Sequence, residues 1–288
     1  MSATILKLAC PDRVGLLARI TNFVAERGGN LLEVNQFTDP TSENRGGWFF
    51  ARMAIATDSL ELELNQLRAE FEPIGGELQA DWTIRDSTQK MRVAIFVSKL
   101  GHCLADLLWR WHSGELEMEI PLVLSNHEEF RSMIEREGIP FVHVPIDSRN
   151  KAVGFAEVET AVAAAGVDLV VLARYMQILP PDLCESYASR IINIHHSFLP
   201  SFVGANPYKK AYERGVKLIG ATCHYVTSEL DAGPIIDQEV VRVEHYHQPN
   251  DLLRLGRDCE RLALSRGVRA HIHDRVLIHG GRTVVFRD

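Results

Sequence analysis

The sequence has no closely spaced cysteines, no long apolar run, no internal repeat and no surplus of positive charge, and each absence removes a class of protein. Cys10, Cys103, Cys184, Cys223 and Cys259 are scattered, and five thiols fit no complete disulfide framework, so a reducing, cytoplasmic setting is expected. No stretch approaches the roughly 18 consecutive apolar residues of a membrane helix. The opening MSATILKLACPDRVG lacks the basic and apolar segments of a signal peptide, so a soluble chain with no membrane partner is expected. With 31 Lys plus Arg against 38 Asp plus Glu, the net charge of -7 disfavours a polyanion, so no nucleic-acid partner is expected. The histidine pairs at 245–247 and 271–273 have no third and fourth ligand at zinc-like spacing, so no metal is expected.

What remains is an ordinary globular composition, 46% hydrophobic and 24% charged, in 288 residues, enough for two domains with cores of their own. TILKLAC (4–10) alternates as a strand does, and helical spacing follows at Val14, Leu17, Ile20, Phe23 and Val24, with Pro11 and Asp12 as the start and Gly28 and Gly29 as the stop. LLEVNQFTD and GWFFARMAIAT read as two strands joined by the polar loop PTSENRGG. SLELELNQLRAEFEPIGG reads as a helix with a serine cap and a glycine stop, and ELQADWTIRD as a closing strand. The order βαββαβ is the ferredoxin-like arrangement.

A boundary is placed in RDSTQK (85–90), after which the rhythm changes. MRVAIFVS, EIPLVLSN, PFVHVP and VDLVVLAR are apolar strands alternating with helices at 102–112, 128–137 and up to Ala165, the pattern of a parallel sheet covered on both faces. The expectation is therefore an α/β chain with a ferredoxin-like domain at 1–86 and a Rossmann-like, mostly parallel domain at 87–288. After DAGPII a helical region and a final hairpin, RVLIHGGRTVVF, are expected.

In a parallel sheet, ligands bind beyond the carboxyl ends of the strands, where IINIHH (191–196) ends. Alternation puts Asn193 and His195 on one face and Ile192 and Ile194 on the other. An amide and an imidazole aimed at one point suit an acyl-group reaction, the amide donating to an oxyanion and the imidazole donating to it or moving a proton. Two hydrogen-bonded caps of a strand end explain the same residues. Asp231 lies in a DAGP turn, where aspartate is expected on conformational grounds, but beside His195 it would hold the imidazole charged and position water.

The segment NIHHSFLPSFVGANPYKKAYERGVKLIGATCHYVTSELDAGPII, with its Asn-x-His strand end, Ser-x-Leu-Pro turn and Leu-Asp-x-Gly-Pro loop, resembles the catalytic segment of the folate-dependent formyltransferases. The resemblance covers about 91–288. CPDRVGLLARIT and GGN make the first 85 residues similar to an ACT domain, a small amino-acid-sensing module. The combination resembles the formyltetrahydrofolate deformylases. It implies hydrolysis of 10-formyltetrahydrofolate to formate and tetrahydrofolate with water as acceptor, formate feeding one-carbon and purine metabolism, and no cofactor beyond the folate substrate. The alternatives are formyl transfer to a small amine such as glycinamide ribonucleotide, and a non-catalytic amino-acid- or folate-binding protein. SKLGHCL keeps only Gly101 of the glycine-rich acceptor-phosphate loop of glycinamide ribonucleotide formyltransferases, which favours water. The tRNA-formylating relatives need a basic surface and a further carboxyl-terminal domain.

By the same resemblance Asn193 and His195 stabilise the oxyanion, and Asp231 is the acid/base partner that organises His195 and water. Tyr175, Met176, Gln177 and Leu179 in LARYMQIL are folate-pocket residues, with Gln177 standing where the glycinamide ribonucleotide enzymes usually have arginine. Ser125 and Asn126 in VLSN belong to a segment that also matches the family, and a strand end with a helix cap reads equally well there. His196 is expected on the opposite face as a packing residue, or as a helper of water, and His102 is a further candidate for ordering water. In the ACT domain, Asp12, Arg13, Val14, Gly15 and Asn30 are the expected effector site, with helix cap and stop as their structural reading. A sheet of this size has edges to cover, so a homo-oligomer is expected.

Overall fold

The computed structural model describes residues 2–40, 47–200 and 207–287. Most of the loop expected between the second and third strands, and residues 201–206 of the quoted catalytic segment, lie outside the described residues. The chain divides into two compact units, residues 1–90 with 273–288, and residues 91–272. Among the described residues no helix is long and apolar enough to cross a membrane.

The first unit contains β1 (Ala3–Pro11), α1 (Leu16–Ala25), β2 (Leu31–Asp39), β3 (Trp48–Ala56), α2 (Leu64–Leu78) and β4 (Asp81–Asp86). The strands pair antiparallel in the order β2-β3-β1-β4, the ferredoxin-like sheet that the element order predicts. Leu6, Leu8, Met53, Phe23 and Phe71 form the core between the sheet and its helices. Three local expectations are corrected. Val14 is fully exposed because the helix starts two residues later, directly after Gly15, so Pro11 and Asp12 do not open it. Ser59 does not cap α2: its hydroxyl accepts from the Asn30 backbone N–H at 2.8 Å, while Gln66 accepts from the N–H of Glu63 at the true start. Gly75 and Gly76 do not stop that helix; Gly75 is helical and gives the Trp82 indole room to pack where a Cβ would lie 2.2 Å from its nitrogen.

The last residues also depart from expectation. β13 (Val276–His279) and β14 (Arg282–Val285) form the predicted hairpin, yet it belongs to the first unit rather than to a domain running from 87 to 288. The reason is that β1 and β3 are buried on both faces, and the second face needs a cover. Leu277 packs on Ala9 and Phe50, with Trp48, Val284 and Phe286 around them. Arg52, almost fully buried, pairs with Glu33 at 2.9 Å and donates to the His273 carbonyl. Lys7 lies 3.7 Å from Asp274, and burial pushes its ammonium pKa below the usual value.

The second unit contains β5 (Met91–Val97), α3 (His102–His112), β6 (Met118–Glu119), β7 (Val123–Ser125), α4 (Arg131–Arg136), β8 (Phe141–His143), α5 (Lys151–Ala164), β9 (Leu169–Leu172), α6 (Pro181–Ser186), β10 (Ile191–His195), α7 (Pro207–Arg214), β11 (Leu218–Tyr225), β12 (Ile235–Arg242) and α8 (Pro249–Ile272). The sheet order is β12-β11-β10-β9-β5-β7-β8, with β6 beside β5. The run from β8 to β10 is parallel, and β11 and β12 close the sheet antiparallel. EIPLVLSN, expected as one strand, is broken into β6 and β7 around Pro121. From β5 the chain goes first toward β7 and β8, then returns to β9 and β10 on the other side, so the switch point lies between β5 and β9. Parallel sheets open their ligand crevice at the carboxyl ends of such a pair.

Candidate active site

The chain beyond β9 runs along that crevice. Ser98, just past β5, accepts the Met176 N–H on its hydroxyl oxygen at 2.9 Å and donates to Asn126 Oδ1 at 2.7 Å. Asn126 and the fully buried Ser125, whose oxygen accepts the His127 N–H at 3.1 Å, are therefore spent on local bonds. Asn126 reaches the loop at 174–179 only through Ser98, and neither Ser125 nor Asn126 is among the residues that line the cavity in front. The cavity in front is about 470 Å³, within the range of small-molecule sites. Its walls are residues 174–179 and 226–231 and the ends of β9, β10 and β11. Tyr175, Met176, Gln177 and Leu179 all line it; Tyr175 packs edge-on against Phe96 at 5.3 Å, and burial raises its phenol pKa.

Asn193 and His195 project together from the end of β10, and both line this cavity. The antiparallel register places His224 of β11 opposite Asn193, a residue that the sequence reading missed. His224 Nδ1–H donates to the Tyr225 carbonyl at 2.8 Å, so its Nε2 carries the lone pair and accepts from Asn193 Nδ2 at 3.1 Å. Burial lowers the His224 pKa and keeps the ring neutral. The Asn193 amide is thereby fixed in orientation, with its second N–H to spare.

His195 is 6% exposed. Its Nδ1 lies 3.3 Å from Asp231 Oδ2, and its Nε2 is buried with no hydrogen-bond partner among the described residues. Asp231 Oδ1 is 3.8 Å from His224 Nε2. The hydrogen bond from His195 outweighs burial and holds the Asp231 carboxyl below the usual carboxylate range. The turn that delivers Asp231 is tight: its φ is +56°, and Gly233 approaches the Tyr225 carbonyl so closely that a Cβ would lie 1.8 Å from it. Turn chemistry and proximity to His195 are both present, so the two readings of this aspartate are not exclusive.

His196 does not simply face away. Its ring lies 5.2 Å from that of His195 and 6.3 Å from that of Tyr208, and it borders the main cavity and a second, smaller one. Burial, then the charge of Arg174, lowers its pKa to about 4. His102 borders the smaller cavity and not the main one, and its Nε2 is 2.7 Å from Glu260 Oε2. Donor atoms of His102, Cys103 and Glu260 lie within 4.8 Å of one another, but Glu260 already serves His102, Tyr208 (2.9 Å) and Arg174 (3.4 Å), and a guanidinium beside it opposes a cation. In the first unit, Asp12 donates its N–H to Gly47 O, Arg13 pairs with Glu77 at 3.7 Å, and the Asn30 carbonyl accepts from Ala56.

The family model described as "Formyl transferase" matches residues 91–268, and that described as "ACT domain" matches residues 4–72. The chain is 46% identical to the formyltetrahydrofolate deformylase of Synechocystis over 286 residues, 99% of each chain. A crystal structure of a formyltetrahydrofolate deformylase from Pseudomonas syringae is 55% identical and superposes with a TM-score of 0.97, over 100% of this chain and 95% of that one. A glycinamide ribonucleotide transformylase from Symbiobacterium toebii is 30% identical with a TM-score of 0.64, and its match covers 69% of this chain and 95% of that one. The chain belongs to the formyltetrahydrofolate deformylase family, with an ACT domain and a formyl transferase domain.

Proposed function

We propose that the second unit hydrolyses 10-formyltetrahydrofolate to formate and tetrahydrofolate, with Asn193, His195 and Asp231 as the catalytic set. The observation that carries this reading is the buried His195, oriented by Asp231 through Nδ1 and left with an unpartnered Nε2 beside an amide whose spare N–H is fixed by His224. Water attacks the formyl carbon and forms the new C–O bond. His195 Nε2 takes the water proton, and Asp231, held ionised, stabilises the imidazolium that results. The oxyanion receives the Asn193 N–H and the imidazolium Nε2–H. As the C–N bond breaks, Nε2 returns the proton to the leaving nitrogen; formic acid leaves and loses its remaining proton to solvent, so the products are formate and tetrahydrofolate. This assigns the proton to His195 rather than to Asp231, because a carboxylate with a lowered pKa is the poorer base.

The pterin is proposed to lie along residues 175–179. In the first unit, an amino-acid effector at residues 12–15 and Asn30 is part of the same reading, supported by the ACT fold. Self-association is supported by β2, an edge strand that exposes Leu32, Val34 and Phe37. The five free, buried cysteines suit a reducing cytoplasm. The test is formate release from 10-formyltetrahydrofolate with no amine present. Steady release is expected; turnover only on addition of an amine such as glycinamide ribonucleotide would make the chain a transferase.

A further inference from the structure

The guanidinium of Arg174 is a charge that the proposed hydrolysis does not use. The residue sits just beyond β9 in a left-handed conformation, φ +65°, unusual for a residue with a long side chain. It is 8% exposed, and its Nε and Nη1 have no hydrogen-bond partner among the described residues, although Nε lies 3.4 Å from Glu260 Oε2. A buried guanidinium with an unanswered donor is costly unless something else supplies the acceptor. Arg174 and His196 border both the main cavity and the adjoining one of about 250 Å³. Lys209 and Arg257 also line that second cavity.

We propose that the second cavity is a binding site for a small monocarboxylate, and, given the reaction proposed above, for the formate it releases. Its charges favour an anion. Glu260 is the carboxylate in the wall, and both its oxygens are engaged, Oε1 by the Tyr208 hydroxyl and Oε2 by His102 and Arg174. Among the described residues Lys209 is held by an exposed pair with Glu213 at 3.8 Å. Glu260 offsets the buried Arg174 at 3.4 Å, so the surplus positive charge of the wall comes from Lys209 and Arg257 nearer the surface. A planar guanidinium fork matches a planar carboxylate. Formate moving from the reacting centre into this cavity would vacate the space beside Asn193 and His195 before the folate leaves.

The site is tested by titrating 13C-formate into the full chain without folate, followed by ligand line broadening, for the wild type, Arg174→Lys and Arg257→Ala. Saturable binding is expected in the wild type, at least tenfold weaker in Arg174→Lys and several-fold weaker in Arg257→Ala. The latter alters an exposed position of α8 and keeps the test valid if the buried variant fails to fold. Equal binding by wild type and Arg257→Ala, or displacement of formate by equimolar inorganic phosphate, would overturn the proposal. A chain that binds formate in this way yet releases none from 10-formyltetrahydrofolate would overturn the reaction and leave the carboxylate site standing.

Discussion

The two cavities of the second unit share Arg174 and His196 and differ in what they leave unsatisfied. In the larger, the open groups are the spare Asn193 N–H and His195 Nε2, both on residues anchored to β11 and its following turn. In the smaller, the open group is a guanidinium nitrogen beside a carboxylate that is already fully engaged. An imidazole with one nitrogen free is equipped to move a proton; a fixed cation is not, and serves to hold charge. Adjacent strand ends of one sheet thus provide two kinds of chemistry, separated by which partners the neighbouring strand and helix supply.

The contrast is most sharply broken at Asn193. Asn193→Ala is expected to lower kcat about 100-fold to 1,000-fold, the cost of an oxyanion donor, with KM for the folate little changed. His224→Leu removes the acceptor that orients that amide without touching substrate, and a kcat loss of about tenfold is expected, again with KM unchanged, as for weakened positioning of a catalytic group. A parallel rise in KM would mean that His224 merely supports the cavity wall.

Gly256→Ala addresses the smaller cavity. A Cβ at Gly256 would lie 2.1 Å from the Tyr208 ring, so α8 or the ring must shift and the bond to Glu260 with it. A loss of about 1–3 kcal/mol in stability is expected by chemical denaturation, the usual cost of overpacking. The smallest effect is expected at His196. Its folded pKa of about 4 lies below the ordinary 6.5, so the unfolded chain binds the extra proton first as pH falls. The associated stability is fully present above about pH 6.5 and is lost as pH drops toward about 4; denaturation midpoints of His196→Asn should be flatter across that window.

Much of this was legible in the sequence. Alternation put Asn193 and His195 on one face, and α3 falls on the stretch that its histidines bound. His224 was not legible, because its value depends on the antiparallel register that sets it against Asn193, a pairing no local spacing encodes. Arg174 reads as the polar end of an apolar strand until its φ and burial are known. Ser125 and Asn126 do stand at a strand end, where Ser125 accepts from the His127 N–H and Asn126 from Ser98, partners that no local spacing encodes. The closing hairpin was read as a hairpin; its place in the first unit follows from the second buried face of β1, which pattern alone does not distinguish from an exposed one.

The central claim is that water is the acceptor and that the Asp231–His195 pair activates it. Hydrolysis in 18O-labelled water by the wild type and by Asp231→Asn tests it directly, since asparagine tolerates the left-handed turn that Asp231 occupies. One 18O atom per formate is expected from the wild type, with a rate at least about 100-fold lower in the variant. Unlabelled formate, or a variant of near-normal rate, would contradict it.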